Sequence, residues 1–406
     1  MNSSIFINRF AMRNYKSIAV CTLPLRSLMF LVGPNGAGKS NFLDGLRFIS
    51  DALRDSLDHA LRARGGIKEV RRRSGGHPNH FSLEVSFQME DGASGKYGFQ
   101  IGARPQGGYE VQEERCEIVQ GSDPTRVDSF KVERGTVTAS SLDVLPPAAS
   151  PDRLYLVNIS GFPSFRPLYE ALSRMSFYSF NPDRIRDLQP PDAGDLLARD
   201  GANLSSVLSK LTRENADAKK RIEEYLGKVV PGVSAVEARS VGPMETLEFR
   251  QSVAGAQHPW HFFAANMSDG TLRTLGILVA LFQSPNGGKG RIPLVGVEEP
   301  ELALHPAAAS VLRDSLHDAS RTTQVLVTSH SPDLLDDDTI QPDSILAVVS
   351  DNGTTRVGRL NEVGRSVLRD KLYTAGELLR LNQLEPEADG TSSETELDLS
   401  SPPDAK

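Results

Sequence analysis

The chain has 406 residues, of which 39% are hydrophobic and 24% are charged, which is typical of a globular protein with one large domain or two lobes. The net charge of −7 argues against a surface coated with basic residues, and no apolar run approaches the roughly 20 residues of a membrane-spanning helix. The N-terminus lacks signal-peptide features, and Cys21 and Cys116 have no metal-ligand spacing. We therefore predict a cytoplasmic protein with reduced thiols and no membrane contact.

The first third of the chain predicts strands and one helix. Short apolar runs over residues 5–32 indicate strands, the last of which enters a glycine-rich loop at Gly33. From Asn41, apolar residues at helical spacing as far as Leu61 predict a helix that starts directly out of this loop. Residues 81–138 alternate polar and apolar side chains between glycine-containing turns, so they predict an antiparallel β-subdomain.

The middle of the chain is more helical in character. A segment rich in Pro, Ala and Ser over residues 140–151 is typical of a linker, and residues 152–243 predict a mainly helical lobe insertion. Within this insertion, apolar side chains from Leu204 to Leu226 follow a 4-3 rhythm that Asn215 interrupts. This rhythm fits either a short coiled arm or an amphipathic helix packed on a lobe.

The last third alternates strands and helices. A strand over 245–253 leads to an apolar helix that ends at Phe282, and a loop over 284–291 precedes two further strands with a helix between them. This order predicts a mostly parallel sheet flanked by helices. We expect an α/β head over residues 1–350 and a C-terminal extension over 351–382. A disordered acidic tail is expected over 383–406.

The glycine-rich loop carries the first chemical motif. Its sequence from Gly33 to Ser40, GPNGAGKS, fits the pattern GxxxxGK[ST] between a strand and a helix. The glycines allow backbone N–H groups to form a nest for phosphate oxygens, Lys39 supplies a charge between the β- and γ-phosphates, and Ser40 offers its hydroxyl to Mg²⁺. We predict that ATP with magnesium binds here, through Gly33, Pro34, Asn35, Gly36, Ala37, Gly38, Lys39, Ser40 and Asn41.

Polar residues follow two apolar strands in the last third. Glu298 and Glu299 follow the run Ile292–Val297, and we assign Glu298 to the metal and Glu299 to the base that polarises the attacking water. A solvated acidic turn is the alternative. His330 closes the second strand. A lone histidine at this position is more often structural, but here it should emerge beside Glu299, where it can contact the γ-phosphate or orient the water.

A third motif, MSDGTLR, begins the apolar helix. Ser268 or Asp269 can cap this helix, and Gly270 permits a phosphate to approach the exposed N–H groups. Taken alone, the segment is an ordinary helix start.

The motifs together, in the order GPNGAGKS, MSDGTLR, VEEPELALHP and TSHS, resemble the ATPase head of the ABC superfamily. They are most similar to stand-alone heads related to structural-maintenance-of-chromosomes (SMC) proteins, recombination-repair ATPases and overcoming-lysogenization-defect ATPases. The opening phrase MRNYKS resembles the first strands of those heads, and the resemblance covers roughly residues 5–350. It implies a P-loop NTPase fold of the ABC type and an ATPase that uses ATP and Mg²⁺.

The resemblance also implies a dimer. It places Ser268 and Gly270 in the signature motif, which acts in trans, so that two heads sandwich two ATP molecules. Residues 300–306 then match the loop that communicates across such a dimer. Glu298 stands where the usual residue is aspartate, and Asn181 is the only candidate for the Q-loop residue. Nucleases of the related families need a further acidic-cluster domain after the head, and we predict no nuclease in this chain.

Two functions follow from these expectations. The first is a homodimeric ATPase that couples hydrolysis to remodelling of DNA or of a partner protein, in DNA repair or phage defence. The alternative is a low-turnover, nucleotide-sensing scaffold for a separately encoded nuclease or toxin. Six basic residues between Arg62 and Arg73 are opposed only by Glu69, and they are the best candidate for contact with a nucleic-acid backbone. A solvated segment that binds nothing is an equal alternative.

Overall fold

The computed structural model describes residues 5–73, 78–283 and 291–387. The chain divides into two units. Unit 1 comprises Met1–Met175, Gln341–Asp370 and Asn382–Lys406, and unit 2 comprises Ser176–Ile340 and Lys371–Leu381. Among the described helices, none combines the length and the apolar character that crossing a membrane requires.

The described residues form strands that we number in chain order. They are β1 (Ile5–Tyr15), β2 (Ile18–Pro24), β3 (Leu28–Val32), β4 (His80–Met89), β5 (Ser94–Ala103), β6 (Tyr109–Gln120), β7 (Asp123–Glu133), β8 (Thr136–Ser140), β9 (Ser176–Tyr178), β10 (Val233–Val241), β11 (Met244–Gln251), β12 (Trp260–Phe263), β13 (Leu294–Glu298), β14 (Gln324–Ser329), β15 (Ile345–Asp351) and β16 (Thr354–Arg359).

The α-helices of the described residues are numbered in the same way. They are α1 (Lys39–Arg54), α2 (Leu57–Arg62), α3 (Ile67–Val70), α4 (Tyr155–Ile159), α5 (Arg166–Arg174), α6 (Pro182–Arg186), α7 (Leu204–Glu214), α8 (Ala216–Val229), α9 (Asp269–Phe282), α10 (Ala309–Ala319), α11 (Pro332–Leu335), α12 (Glu362–Arg369) and α13 (Ala375–Arg380).

Unit 1 is built on a mixed sheet with the strand order β8-β7-β6-β5-β4-β1-β2-β16-β15-β3. The strands from β8 to β2 are antiparallel neighbours, whereas β2 pairs with β16 and β15 pairs with β3 in parallel. The antiparallel strands predicted over 81–138 therefore extend the sheet directly through the β4–β1 pair. This pairing satisfies backbone N–H and C=O groups of β4 that would otherwise be left unpaired at a sheet edge.

Unit 2 carries the parallel strands β14-β13-β9 and a separate antiparallel sheet, β10-β11-β12. All six residues of β14 are buried, as expected for a strand covered on both faces. Helix α9 is buried over almost its whole length, and its Gly276 lies where a Cβ atom would come within 2.8 Å of the Phe180 ring. The predicted α/β fold with antiparallel and helical additions is confirmed, and the described strands pair in both senses.

Both long helices of the sequence analysis are interrupted. The helix predicted from Asn41 to Leu61 ends at Arg54, and Ser56 caps a second helix by accepting from His59 N. Asn215 likewise caps α8 by accepting from Ala218 N at 3.1 Å. Because α8 packs against α9 and α10 and buries its Leu226, it forms no projecting coiled arm. The regularly spaced apolar residues are therefore the ones that pack against the rest of unit 2.

The boundary of the acidic tail needs correction. Residues 383–387 belong to the fold of unit 1, because Leu384 is buried and the backbone N–H of Asn361 donates to Glu385 O at 3.0 Å. The carboxylate of Glu387 pairs with Arg365 at 2.5 Å. The remainder of the predicted tail, 388–406, and most of the predicted loop over 284–291 lie outside the described residues.

A buried carboxylate connects the antiparallel strands of unit 1 to the start of helix α4. Glu114 on β6 accepts hydrogen bonds from the backbone N–H groups of Tyr155 and Leu156, at the start of α4, and from the Tyr97 hydroxyl. Burial raises the pKa of Glu114 from 4.5 to about 7, although these three hydrogen bonds act in the opposite direction.

This shift predicts a pH-dependent stability. A carboxyl with a raised pKa stabilises the fold fully below pH 4.5, and that contribution is lost as the pH rises towards 7. We expect the free energy of unfolding to lose about 3 kcal/mol from this group over that range, and Glu114→Gln to abolish this loss. Chemical denaturation at pH 5 and pH 8 measures this change in the free energy of unfolding. Glu117→Gln is the control, because Glu117 is exposed on the same strand. An unchanged pH slope in the Glu114 variant would contradict the prediction.

Candidate functional site

The phosphate-binding loop of unit 1 has the local geometry that its glycines predict. It follows the fully buried strand β3, and Gly36 and Gly38 adopt φ angles of 76° and 103°, which only glycine takes without strain. Lys39 begins α1 and is buried, and its Nζ donates to the carbonyls of Gly33 at 2.9 Å and Pro34 at 3.1 Å. The carbonyl groups of the loop therefore hold the ammonium group at the loop that is expected to bind phosphate.

The loop is braced from the hairpin β15–β16 of the same unit. A Cβ atom on Gly33 would lie 2.0 Å from the Val348 carbonyl oxygen, and one on Gly38 would lie 2.1 Å from Thr355 Oγ1. The hydroxyl of Thr355 also donates to Ala37 O at 2.9 Å. Packing therefore requires glycine at both positions, independently of any phosphate.

The Thr355 hydroxyl is also the first member of a chain of hydrogen-bonded hydroxyl and amide groups. Ser17 Oγ lies 2.6 Å from Thr355 Oγ1, and Asn41 Nδ2 donates to Ser17 Oγ at 2.7 Å. Ser17 belongs to the MRNYKS phrase that the resemblance singled out, whereas Thr355 lies beyond residue 350, in the segment expected to be an extension. No local pattern in the sequence indicates Thr355, because its role depends on strand pairing.

One residue of the basic cluster is structural. The Arg64 side chain is only 2% exposed, and it donates to Asp44 at 3.0 Å and to Asp51 at 2.9 Å. Asp44, on α1, also pairs with Lys16 at 2.6 Å and Arg47 at 2.5 Å. Burial acts to raise the pKa of Asp44, but the three cations hold it well below its ordinary value. This network fixes the start of the basic cluster to the helix that follows the phosphate loop.

The other arginines of the cluster also have local partners. Arg62 pairs with Asp58 at 2.8 Å, and Arg73 pairs with Glu69. Arg71 donates to Pro78 O and Arg72 donates to Thr354 Oγ1, each at 2.9 Å. Residues 74–77 lie outside the described residues. Because Arg62 and Arg64 pair with carboxylates that lie outside the counted segment, the positive charge available to a nucleic-acid backbone is smaller than the sequence count indicates.

Alanine substitutions of Arg64 and Arg62 should therefore differ in their effect on the free energy of unfolding. Arg64→Ala removes a partner from a buried ion network, and we expect it to lower the free energy of unfolding by about 3–5 kcal/mol. Arg62→Ala removes one exposed ion pair and should cost less than about 1 kcal/mol. Urea denaturation of the two variants measures the difference. Equal stabilities would show that the Arg64 network contributes nothing.

In unit 2, the parallel strands β13 and β14 bring the second group of predicted residues together. Glu298 lies opposite Thr328 in the strand register, so the residues that follow both strands meet at one edge. Glu299 Oε1 lies 3.2 Å from His330 Nδ1, and Glu298 Oε1 accepts from Arg199 at 2.9 Å. Both carboxylates therefore have nitrogen partners, and neither is simply a solvated acid in a turn.

The backbone at Glu299 is unusual. Its φ angle is 44°, in the left-handed region, which costs a non-glycine residue on the order of 1–3 kcal/mol. Its N–H donates to Thr328 O at 3.0 Å, and this bond holds the turn against that cost. The turn separates the directions of the two adjacent carboxylates.

The sequence analysis did not single out Glu301. Its Oε1 accepts from Ser329 Oγ at 2.7 Å and from His330 N at 3.2 Å, and its side chain is only 9% exposed. Its other oxygen is buried without a hydrogen-bond partner in the described part of the chain. Glu301 thereby fixes the backbone of the turn that carries His330. The only indication in the sequence was a third carboxylate two residues after the acidic pair.

The predicted signature segment is a capped helix start. Ser268 Oγ accepts from Thr271 N at 3.2 Å. Gly270 lies against the loop that follows the acidic pair, since a Cβ atom there would be 2.4 Å from Ala303 O. This contact within unit 2 requires glycine independently of any phosphate. Asn181, the Q-loop candidate, caps α6 by accepting from Asp183 N at 3.0 Å.

The two predicted metal ligands are oxygen donors of the kind that Mg²⁺ prefers. Within residues 5–73, 78–283 and 291–387, no group of three His, Cys, Asp or Glu side chains could hold a metal ion by itself. The predicted ligands are the hydroxyl of Ser40, in unit 1, and the carboxylate of Glu298, in unit 2. Mg²⁺ is commonly held by one or two such groups, with substrate phosphates and water completing the shell.

The fold is similar to that of SMC head domains, as the motifs predicted. An SMC head bound to the C-terminal winged-helix domain of ScpA is 14% identical with a TM-score of 0.54, over 88% of this chain and 99% of that chain. An SMC head with an extended coiled coil, bound to the C-terminal domain of ScpA and derived from Pyrococcus furiosus, is 12% identical with a TM-score of 0.54, over 91% and 99%.

The family follows from the sequence match. Residues 28–336 match the family AAA_21, described as "AAA domain, putative AbiEii toxin, Type IV TA system". The chain belongs to this family. No curated protein matches the chain.

Proposed function

We propose that the protein binds ATP with Mg²⁺ at the loop Gly33–Asn41 and hydrolyses it to ADP and phosphate. The observation that carries this proposal is the braced phosphate loop, in which Gly36 and Gly38 are left-handed and Lys39 Nζ lies at the loop carbonyls. Such a loop turns its N–H groups towards an anion, and the start of α1 adds a partial positive charge.

The roles of the remaining residues follow from their chemistry. Lys39 exchanges its carbonyl partners for the β- and γ-phosphate oxygens. Ser40 and Glu298 would hold Mg²⁺, which would offset the negative charge that develops on the phosphates. Glu299 accepts the proton of the attacking water, and His330, 3.2 Å from it, orients this carboxylate. We assign both groups of residues to one reaction because of the order of the motifs and the family membership.

The proposal includes a homodimer that forms on ATP binding, in which Ser268 and Gly270 of one copy serve the nucleotide of the other. The resemblance supports this arrangement. Hydrolysis would then separate the copies and drive remodelling of DNA or of a partner protein in the cytoplasm, in DNA repair or phage defence.

The second candidate is a nucleotide-sensing scaffold with little turnover, which guards a separately encoded nuclease or toxin. The toxin–antitoxin wording of the family description and the ion pair between Arg199 and Glu298 favour it. Steady phosphate release by the purified protein would count against this candidate, and co-purification with an effector would support it.

Complementation between two inactive variants tests the shared site. Lys39→Ala removes the phosphate contact and Ser268→Arg blocks the signature helix, so each variant alone should be inactive. A mixed dimer keeps one intact pair of elements, and the mixture should recover up to about a quarter of wild-type phosphate release. No recovery, although the two folded variants form mixed dimers in ATP, would exclude action in trans. Adding DNA to the wild type separates a DNA-dependent role from a guard role.

A further inference from the structure

Arg199 forms an ion pair with Glu298, the carboxylate that the proposed function assigns to the metal. Its guanidinium donates to Glu298 Oε1 at 2.9 Å, and this carboxylate is 21% exposed. The carboxylate next to it, on Glu299, has His330 as its partner. Two adjacent carboxylates repel each other, so each gains from a cationic or hydrogen-bonding neighbour. Arg199 supplies that neighbour to Glu298.

The backbone of Arg199 is held by a hydrogen bond, whereas its side chain can move. The Arg199 carbonyl accepts from Ser179 N at 3.0 Å, which fixes the backbone next to β9. The side chain is 49% exposed, so its guanidinium can exchange the carboxylate for water at small cost. The backbone contact does not depend on the side chain, and substitution of Arg199 should leave the fold intact.

We propose that Arg199 is a counter-ion that competes with Mg²⁺ for Glu298 and so lowers the metal affinity of the nucleotide-free protein. The proposal rests on the metal role of Glu298 in the proposed function. A guanidinium and a divalent cation on one carboxylate repel each other at this range, so the metal must displace the arginine. Metal that arrives with ATP brings additional phosphate ligands and can do so, whereas free metal has only this chain's few donors.

The competition makes metal loading dependent on the nucleotide. With the arginine in place, Glu298 is neutralised and offers little to a free cation. When the arginine leaves, the negative charge of Glu298 is no longer offset and is available to a cation. Arg199 is therefore a residue that sets metal specificity and occupancy, and it takes no part in proton transfer.

The test is Mn²⁺ binding to the nucleotide-free full chain, followed by electron paramagnetic resonance. Arg199→Ala should lower the half-saturating Mn²⁺ concentration by about tenfold, and Arg199→Lys should lower it less because a cation remains. Arg184→Ala is the matched control, since Arg184 is an exposed arginine of the same unit that pairs with Asp200 at 3.8 Å. Its half-saturation should equal that of the wild type.

A double-mutant cycle distinguishes a failure of the proposed metal role of Glu298 from a failure of the proposed competition by Arg199. Glu298→Gln should raise the half-saturating Mn²⁺ concentration, and adding Arg199→Ala to it should change nothing further, because the competed group is gone. If Glu298→Gln alone has no effect, the metal role in the proposed function is wrong. If it has its effect but Arg199→Ala leaves half-saturation unchanged or raises it, competition by Arg199 is overturned. Arg199→Lys serves the same comparison should the alanine variant not fold.

Discussion

Lys39→Ala is expected to weaken ATP binding by about 100-fold or more, because it removes charge-assisted hydrogen bonds to the phosphates that are each worth about 1.5–3 kcal/mol. Calorimetric titration with Mg·ATP measures the dissociation constant. Phosphate release should fall to background at ATP concentrations that saturate the wild type. Unchanged affinity would remove the loop Gly33–Asn41 from the proposed site.

Two further variants keep this result interpretable. Lys39 also holds the carbonyls of Gly33 and Pro34, so part of the loss can come from a disordered loop. Ser40→Ala leaves those contacts in place, and it should weaken binding only in the presence of Mg²⁺. Lys68→Ala, which removes an exposed lysine of the same unit, is the matched control and should bind ATP like the wild type.

Glu299→Gln is expected to lower the turnover number by about 10²–10⁴-fold while ATP affinity stays nearly unchanged, since the amide cannot accept the proton of the attacking water. The variant should accumulate as an ATP-bound dimer, which size-exclusion chromatography in Mg·ATP detects. The amide oxygen still reaches His330, so the turn should persist. Turnover at the wild-type rate would exclude Glu299 as the base.

The control for Glu299 must remove a carboxylate without touching the site. Glu224 is 59% exposed on α8 of the same unit and pairs with Lys220 at 3.8 Å, so Glu224→Gln should leave turnover and dimerisation unchanged. If ATP does not join two copies of the Glu299 variant although its turnover is lost, the dimer part of the proposal fails and the base role stands.

Much of the candidate site could be predicted from local sequence. The phosphate loop and the strand ends at Glu298 and His330 depend on nearest neighbours, because glycine permits left-handed backbone and apolar runs form buried strands. The meeting of Glu299 with His330 also follows, since parallel neighbouring strands end at one edge. These expectations agree with the geometry within each unit.

Other features could not be predicted in this way. The two helices predicted as continuous are interrupted at Ser56 and Asn215, where a capping side chain outweighs the apolar periodicity on either side. The positive charge of the Arg62–Arg73 cluster was counted without Asp44 and Asp51, which lie earlier in the chain. A count along the chain does not include partners that folding supplies.

The sequence by itself determined the class of this protein, the location of the phosphate loop and the candidate acid, base and metal groups, because each depends on residues adjacent in the chain. Only the tertiary structure decided which side chains those groups contact. Thr355 bonds to Ala37 across 318 positions, and Arg199 reaches Glu298 across 99. Such pairs form only when the sheets and helices of each unit pack, and neither spacing nor periodicity in the sequence records them.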